Sequence, residues 1–345
     1  MEEIKLTQFS HGAGCGCKIA PGVLDEILKS DLFIPASEKL IVGNSSKDDA
    51  AVYDIGDGMG LISTTDFFMP IVDDAYDFGR IASANAISDV YAMGGKPLMA
   101  VAILGWPISK LPVELAQKVL EGARAVCQQA GIPLAGGHSI DSQEPIFGLA
   151  VNGLVKLNNL KQNNKAKAGD LIYLTKKLGV GILTTAEKKG ILKTEHVGIA
   201  CEQMIELNKF GEEAGKLSRV TAMTDVTGFG LLGHLLEVAE ASGLTAVIDY
   251  SKIPLIDDLK FYTSQFCFPD NTFRNWSSYE SKVSGISGDS LMTLCDPQTN
   301  GGLLITVSPD FRQEFEQALN EAGLKAFSEP IGVMKDKGEK AVEIE

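Results

Sequence analysis

Short runs of apolar and β-branched residues recur along the first 157 residues, and each is bounded by Asp, Gly or Pro. Such runs predict strands, whereas longer segments with apolar residues three and four apart predict helices. The predicted strands are Ala50–Tyr53, Gly60–Thr64, Leu98–Leu104 and Pro145–Val155, and the predicted helices are Pro21–Lys29, Phe78–Met93 and Pro112–Ala130. This mixture predicts an α/β or α+β domain, in which helices cover a sheet.

The polar residues 157–165 are rich in asparagine and lysine and show no periodicity, which predicts a linker. Beyond them, strands are predicted at Leu171–Thr175, Thr245–Tyr250 and Leu303–Val307, and helices after Gly181 and at Glu195–Ala214, Leu231–Ser242 and Pro309–Ala322. A chain of 345 residues also exceeds one ordinary hydrophobic core. We therefore expect two α/β domains, formed by residues 1–157 and 158–345.

The chain carries a formal charge of −14, from 31 basic and 45 acidic residues. Nucleic acids and anionic membranes bind basic surfaces, so we expect neither as a partner. The longest strongly apolar run, Leu98–Leu104, is too short to cross a membrane as a helix, and the first residues lack a signal-peptide pattern. Six cysteines without paired spacing predict a reducing compartment, the cytoplasm, and not a disulfide framework.

A glycine-rich arm precedes the first predicted helix and reads His11-Gly12-Ala13-Gly14-Cys15-Gly16-Cys17-Lys18. Glycine tolerates positive φ, so residues 1–20 are expected to form a flexible arm that folds over a small ligand. The charge of Lys18 favours the nucleophilic thiolate forms of Cys15 and Cys17. Two alternatives stay open from the residues alone, a disordered terminus and half of a zinc site. The zinc alternative lacks a second pair, because the other four cysteines stand singly.

Five aspartates lie beside small or apolar residues: Asp48, Asp49, Asp66, Asp89 and Asp225. A carboxylate in such surroundings is costly to bury unless its charge is compensated. Magnesium compensates it, and this ion typically takes one or two protein carboxylates together with phosphate oxygens and water. For any single aspartate, capping of a helix or turn is the alternative. The five together favour a magnesium site.

Three glycine-rich turns accompany the aspartates, at residues 135–139, 179–181 and 228–233. Backbone amides exposed at such turns can bind phosphate. His138 is therefore either a phosphate ligand or a hydrogen-bonded turn residue. The chain contains no P-loop sequence. The third turn matches Gly-x-Gly-x-x-Gly, but no apolar strand is predicted directly before it and Asp225 would repel a pyrophosphate, so dinucleotide binding is not favoured.

Together these segments resemble the selenophosphate synthetase family along the whole chain. The matching segments are Ser10–Lys18, Asp48–Tyr53, Thr65–Pro70, Ala135–Ser139 and Thr224–Gly230, in the order of the family. The resemblance implies a two-domain fold like that of aminoimidazole ribonucleotide synthetase, with N-terminal sheet domains that pair in a homodimer. It also implies conversion of ATP, selenide and water to selenophosphate, AMP and orthophosphate, with Mg²⁺ required.

The resemblance also implies a role for each matching residue. Cys15 corresponds to a reactive cysteine or selenocysteine, and Lys18 corresponds to an essential lysine. The positions of magnesium ligands are Asp49, Asp89 and Asp225. The nucleotide-binding positions are Lys18, Ser46, Lys47, Asp48, Asp66, Asp89, Gly137, His138 and Ser139. One departure is Asn300, which stands where the family commonly has a small hydroxyl residue in an Asp-Pro-Gln-Thr-x-Gly-Gly turn.

Two other functions remain as alternatives. The first is another ATP-dependent enzyme of the same superfamily, acting on an amide or on thiamine phosphate, and such enzymes do not need the Cys-Gly-Cys-Lys sequence of the arm. The second is a thiol-based metal-binding or redox protein in which the aspartates are structural. Binding of ATP with Mg²⁺ separates the second alternative from an ATP-dependent enzyme.

Overall fold

The computed structural model of the chain describes residues 4–19, 21–29, 37–43 and 48–345. The strands are β1 Leu40–Val42, β2 Ala51–Gly56, β3 Met59–Phe68, β4 Lys96–Trp106, β5 Leu134–Asp141, β6 Ile146–Lys156, β7 Leu171–Leu174, β8 Val220–Asp225, β9 Leu244–Ile248, β10 Val283–Ser284, β11 Leu303–Val307, β12 Gly332–Asp336 and β13 Val342–Ile344. The helices are α1 Pro21–Ile27, α2 Ala75–Ala92, α3 Val113–Ala130, α4 Val180–Lys188, α5 Ile199–Ile205, α6 Phe210–Lys216, α7 Gly230–Ser242, α8 Leu259–Thr263, α9 Asn271–Tyr279, α10 Gly288–Leu294 and α11 Arg312–Glu321. None of the helices in these ranges is both long enough and apolar enough to cross a membrane.

The first of two sheets in the described ranges has the strand order β1-β2-β3-β6-β4-β5. Neighbouring strands are antiparallel except β4 and β5, which are parallel. Helices α2 and α3 pack on one face. On the other face the strand register places several exposed side chains: Tyr53, Phe67, Met99, His138 and Ile140. One face of this sheet is therefore open to solvent and largely apolar.

Helix α2 lies almost entirely inside the molecule, between the first sheet and α3. The carboxylate of Asp74 caps its first turn by accepting the N–H of Asp77 at 2.8 Å. Gly79 approaches α3 so closely that a Cβ there would lie 1.9 Å from the carbonyl oxygen of Val119. Small side chains thus let α2 pack closely on both sides, and they leave room for buried polar residues that face the site.

The second sheet has the strand order β10-β13-β9-β12-β7-β11-β8. Strand β11 lies between β7 and β8, antiparallel to both, and all of its residues are buried. Its sequence is apolar apart from Thr306, which matches a strand that is covered on both faces. With this sheet, the predicted α/β architecture of the second half is confirmed.

Apolar packing crosses the predicted domain boundary at residue 157. Val180 and Ile182 of α4 and Ala200 of α5 belong to the same core as the buried side chains of the first sheet. The division into residues 1–157 and 158–345 therefore stays a prediction.

Residues 157–165, predicted as a linker, pack against both halves of the protein. The Lys161 ammonium donates to the carbonyl oxygens of Leu217 and Val220 at 3.0 and 2.8 Å. Lys161 is 5 % exposed, and burial lowers its pKa to about 8. The polar segment thus contains a buried cation that binds backbone carbonyl oxygens.

Two predictions of local structure are wrong. The segment Glu195–Ala214 forms two short helices, α5 and α6, because Gly198 at φ +86° precedes α5 and Glu206 leaves it in an extended conformation. Residues 135–139, predicted as a glycine turn, lie in β5. Gly137 is required there because a Cβ would lie 2.3 Å from the carbonyl oxygen of Ala102 on β4.

The close crossing of α2 and α3 predicts an unusual effect of a Gly79→Ala substitution. Alanine normally favours a helix interior over glycine. Here the contact with Val119 should dominate and lower the free energy of unfolding by about 1–3 kcal/mol, measured by urea denaturation. Gly288→Ala is the control, since a Cβ at Gly288 has no neighbour within 4 Å. Equal stability of the two variants would contradict the packing described.

Candidate active site

The described part of the arm is packed between the first sheet and the turn at residues 295–302. A short 3-10 helix begins at Gly14, and Cys15 is fully buried. The N–H of Gly14 donates to the carbonyl oxygen of Met69, and the N–H of Cys15 donates to Thr299 Oγ1, both at 3.1 Å. Hydrogen bonds on two sides thus hold the arm closed.

Two glycines allow the arm to come this close. Gly14 has φ +50°, and a Cβ there would lie 2.5 Å from Ile71 Cδ1. A Cβ on Gly228 would lie 2.4 Å from the carbonyl oxygen of Cys15. The glycine turn at residues 228–233 therefore receives the arm, a role that the sequence did not indicate. Strand β8, which was not predicted from the sequence, ends at Asp225, and two residues separate it from this turn.

Asn85 on α2 contacts the thiol of the arm. Its Oδ1 accepts hydrogen bonds from Cys15 Sγ at 3.2 Å and from the N–H of Asn300 at 2.7 Å. Its Nδ2 donates to Asp66 Oδ2 at 2.5 Å, and the side chain is fully buried. Sequence reasoning missed Asn85, although it lies four residues before Asp89 and therefore on the same side of α2.

Four aspartates from separate elements form what we term the acidic cluster: Asp49 before β2, Asp66 on β3, Asp89 on α2 and Asp225 at the end of β8. Hydroxyl groups orient three of these carboxylates. Thr224 Oγ1 donates to Asp49 Oδ1 at 2.7 Å, Thr64 Oγ1 donates to Asp89 Oδ2 at 2.5 Å, and Ser88 Oγ donates to Asp225 Oδ2 at 2.5 Å. The sequence prediction missed these hydroxyl residues, although each lies within two positions of an aspartate.

The carboxylates of the acidic cluster repel one another. Burial, followed by the charge of Asp225, raises the pKa of Asp49 and of Asp89 well above the usual range. Burial also raises the pKa of Asp225. In addition, Asp49 Oδ2 is buried and has no hydrogen-bond partner. A cation bound here would relieve the repulsion and satisfy this oxygen.

Lys18 supplies a positive charge beside the acidic cluster. Its Nζ lies 3.6 Å from Asp66 Oδ2, and 37 % of its side chain is exposed. The attraction of Asp66 outweighs the effect of burial and holds the pKa of Lys18 above its ordinary value. Lys18 is therefore charged, and its exposed part leaves it accessible to a ligand.

Oxygen donors in the acidic cluster fit Mg²⁺. This ion prefers carboxylate oxygens and completes its shell with phosphate oxygens and water. Asp49, Asp89 and Asp225 offer such oxygens, and Asp49 Oδ2 lacks a protein partner. Among the residues that the structure describes, no three His, Cys, Asp or Glu side chains are close enough to hold a metal by themselves. The residues therefore fit a cation that takes its other ligands from a phosphate group and water.

The other predicted nucleotide-binding residues before β2 are described only in part. Asp48 directly precedes Asp49 in the chain. Its Oδ1 accepts a hydrogen bond from the N–H of Asn163 at 2.8 Å. Ser46 and Lys47 lie outside the described residues. Their predicted contact with the nucleotide stays a prediction.

The third predicted group, Gly137, His138 and Ser139, is exposed on β5. With Arg124 these residues line a groove of about 260 Å³. Strands β6 and β4 lie between Asp66 on β3 and this group, so about 14 Å separates them at ordinary strand spacing. A single chain does not bring this group to the acidic cluster.

Known relatives match the chain over nearly their full length. A selenide, water dikinase from Colwellia psychrerythraea is 59 % identical over 332 residues, which cover 96 % of each chain. Another from Pseudomonas putida is 58 % identical over 343 residues, or 99 % of each chain. The chain belongs to the selenide, water dikinase family. Two family models also match, the N-terminal domain of AIR synthase related protein over residues 47–155 and its C-terminal domain over residues 167–345.

Solved structures outside the selenide, water dikinase family share the fold. Thiamine-monophosphate kinase from Stenotrophomonas maltophilia aligns with a TM-score of 0.67 at 19 % identity and covers 89 % of this chain and 92 % of its own. The hydrogenase maturation protein HypE, solved in complex with ATP, aligns with a TM-score of 0.66 at 18 % identity, covering 99 % of this chain and 94 % of its own. The predicted aminoimidazole ribonucleotide synthetase-like fold is thereby confirmed.

Repulsion within the acidic cluster predicts that Asp49→Asn stabilises the metal-free protein. The pKa of Asp49 is raised on folding, so its charged form destabilises the fold and this loss grows as pH rises through the folded pKa. Asparagine keeps the acceptor for Thr224 and removes the charge. We expect the Tm in EDTA at neutral pH to rise by about 2 °C or more, measured by circular dichroism.

Asp257→Asn is the control for this substitution, because the Asp257 side chain is 91 % exposed. It should leave the Tm unchanged. A Tm of Asp49→Asn at or below that of the control would contradict the repulsion within the acidic cluster.

Proposed function

We propose that this member of the family makes selenophosphate from ATP, selenide and water, with AMP and orthophosphate as the other products. The observation that carries the proposal is the closed arm. Buried Cys15 is joined through Asn85 to Asp66, the same carboxylate that pairs with Lys18. A thiol for selenium and a cation for phosphate thus belong to one site.

Lys18 neutralises charge on the transferred phosphoryl group. Phosphoryl transfer asks a protein mainly to position the reactants and to compensate the charge of their oxygens. The ammonium of Lys18 already lies beside Asp66 and is partly exposed. When ATP binds, Lys18 exchanges part of this contact for a phosphoryl oxygen.

Asp49, Asp89 and Asp225 would each contribute carboxylate oxygens to Mg²⁺, whose other ligands would be phosphate oxygens and water, and Asp48 and Asp66 would contact the nucleotide. The buried, unpartnered Asp49 Oδ2 and the raised pKa values within the acidic cluster support this assignment. Bound Mg²⁺ supplies charge neutralisation and orientation of phosphate oxygens. The hydroxyl groups of the cluster keep the carboxylates in place for that contact.

Cys15 receives the selenium. Selenide is a soft and easily oxidised anion, and Cys15 meets it as a neutral thiol, a polarizable group with a weak S–H donor, so the contact requires no change of oxidation state. Because Cys15 is fully buried in the closed arm, the arm opens to admit selenide and closes to exclude water. A reducing compartment such as the cytoplasm suits this chemistry, since selenide and thiols are lost to oxidants elsewhere.

The enzyme acts as a homodimer that is paired through the open face of the first sheet. Large apolar side chains such as Phe67 and Ile140 are 48 % and 58 % exposed on this face, and His138 lies on it as well. An exposed apolar face of this kind is typical of a protein interface. Pairing of two such faces lets Gly137, His138 and Ser139 of one chain approach the nucleotide of the other.

Substitutions in the arm test the roles of its two residues. Under anaerobic conditions with ATP, Mg²⁺ and selenide, phosphorus NMR should show selenophosphate and AMP for the unmodified protein. Cys15→Ser and Lys18→Ala should each lower the rate of selenophosphate formation at least about 100-fold, because a soft selenium contact or a phosphoryl counter-charge is lost.

Matched controls are Cys201→Ser and Lys260→Ala. Cys201 is a partly buried cysteine on α5, and Lys260 is an 80 % exposed lysine on α8. Both variants should retain the rate of the unmodified protein. Full selenide-dependent AMP formation by Cys15→Ser, or an unchanged rate for Lys18→Ala, would remove the corresponding role.

A Phe67→Glu substitution tests the homodimer. Charge on the open face should separate the chains, so analytical ultracentrifugation should report the 36.8 kDa monomer in place of twice that mass. Activity should fall in parallel, since each site then lacks the β5 residues of its partner. Phe273→Glu, on α9 and similarly exposed at 47 %, should remain dimeric. A Phe67→Glu variant of unchanged mass contradicts this interface.

A further inference from the structure

The buried carboxamide of Asn85 connects three parts of the site that the proposed function assigns to different tasks. We propose that Asn85 is a positioning residue that couples closure of the arm to phosphoryl transfer, a role that rests on the proposed function and goes beyond it. Its Oδ1 holds Cys15 and the turn at residues 295–302, and its Nδ2 holds Asp66.

The orientation of the carboxamide is fixed by its neighbours. Nδ2 lies 2.5 Å from Asp66 Oδ2, and a carboxylate oxygen only accepts. Oδ1 lies 2.7 Å from the N–H of Asn300, which only donates. A flipped carboxamide would place two acceptors against each other at Asp66 and two donors against each other at Asn300. Cys15 Sγ therefore always meets the carbonyl oxygen and is held as a donor.

The turn that contacts Asn85 is itself anchored. Asn300 is fully buried, and its Nδ2 donates to the carbonyl oxygens of Met204 and Glu206 at 2.6 and 2.8 Å. Its φ of +47° is a conformation that asparagine tolerates better than serine or threonine. Asn300, the departure from the usual turn sequence, thus fixes the backbone that donates to Asn85.

Each end of the Asn85 carboxamide contacts a residue to which the proposed function assigns a role in the reaction. One end positions the sulfur that receives selenium, and the other end shares Asp66 Oδ2 with Lys18. Without Asn85 the closed arm loses the bond to the Cys15 thiol and Asp66 loses a donor, whereas the other three carboxylates of the acidic cluster keep their hydroxyl donors. ATP would then be cleaved with water in place of selenide.

The test measures two quantities in Asn85→Ala. The first is the alkylation rate of Cys15 by iodoacetamide without any substrate, followed by peptide mass spectrometry, with buried Cys127 as the internal reference. Loss of a buried hydrogen bond should raise the Cys15 rate at least about fivefold and leave the Cys127 rate unchanged. The second is the ratio of selenophosphate to AMP formed with ATP, Mg²⁺ and selenide, which should fall at least about fivefold.

Two further variants keep the test decisive. Ser83→Ala removes another buried polar group of α2, whose Oγ donates to the carbonyl oxygen of Gly79, and it should change neither quantity. Thr299→Val removes only the acceptor of the Cys15 N–H, and it should raise Cys15 alkylation as Asn85→Ala does.

An unchanged Cys15 rate in Asn85→Ala, or rates that rise together at Cys15 and Cys127, would overturn the positioning role. Because alkylation needs no substrate, it tests the role of Asn85 separately from the proposed function. A protein that never forms selenophosphate but shows the Cys15-specific change refutes the proposed function and leaves the contact of Asn85 with the arm standing.

Discussion

Four carboxylates brought together from separate elements repel one another, and the surrounding structure is arranged around that repulsion. The fold alone does not relieve it, since burial raises the pKa of Asp49, Asp89 and Asp225 and leaves Asp49 Oδ2 without a partner. Such an arrangement persists only when rigid neighbours impose it. Helix α2 and strands β3 and β8 provide that rigidity, and the site is consequently suited to bind a cation together with phosphate.

The N-terminal arm compensates part of the negative charge of the acidic cluster. It brings the positive charge of Lys18 to Asp66, and it brings Cys15 to a buried position that no solvent reaches. Close approach of the backbone is possible only because Gly14 and Gly228 lack side chains. Closure of the arm, charge compensation and exclusion of water are therefore consequences of one packing arrangement. This arrangement suits the site to a reaction from which water is excluded.

Strongly patterned elements were predictable from the sequence, and contacts between distant segments were not. The run of β11, apolar apart from Thr306, predicted its bounds, because burial on both faces favours such a run. The helix predicted over Glu195–Ala214 failed because Gly198 adopts a positive φ and Glu206 an extended conformation, neither of which periodicity reveals. The aspartates were found from their apolar surroundings. Asn85 was not, since its importance arises from Cys15 and other partners far away in sequence.

Isotope tracing tests the central claim, that the closed arm keeps water away from the step that forms selenophosphate. The reaction is run anaerobically in ¹⁸O-labelled water with ATP, Mg²⁺ and selenide, and the products are analysed by phosphorus NMR and mass spectrometry. The oxygens of selenophosphate should all come from ATP, and the label should appear only in the product of the hydrolytic step, orthophosphate or AMP. More than one orthophosphate per AMP, the result of water attacking in place of selenide, or rapid hydrolysis of ATP by the unmodified protein without selenide, would contradict the account.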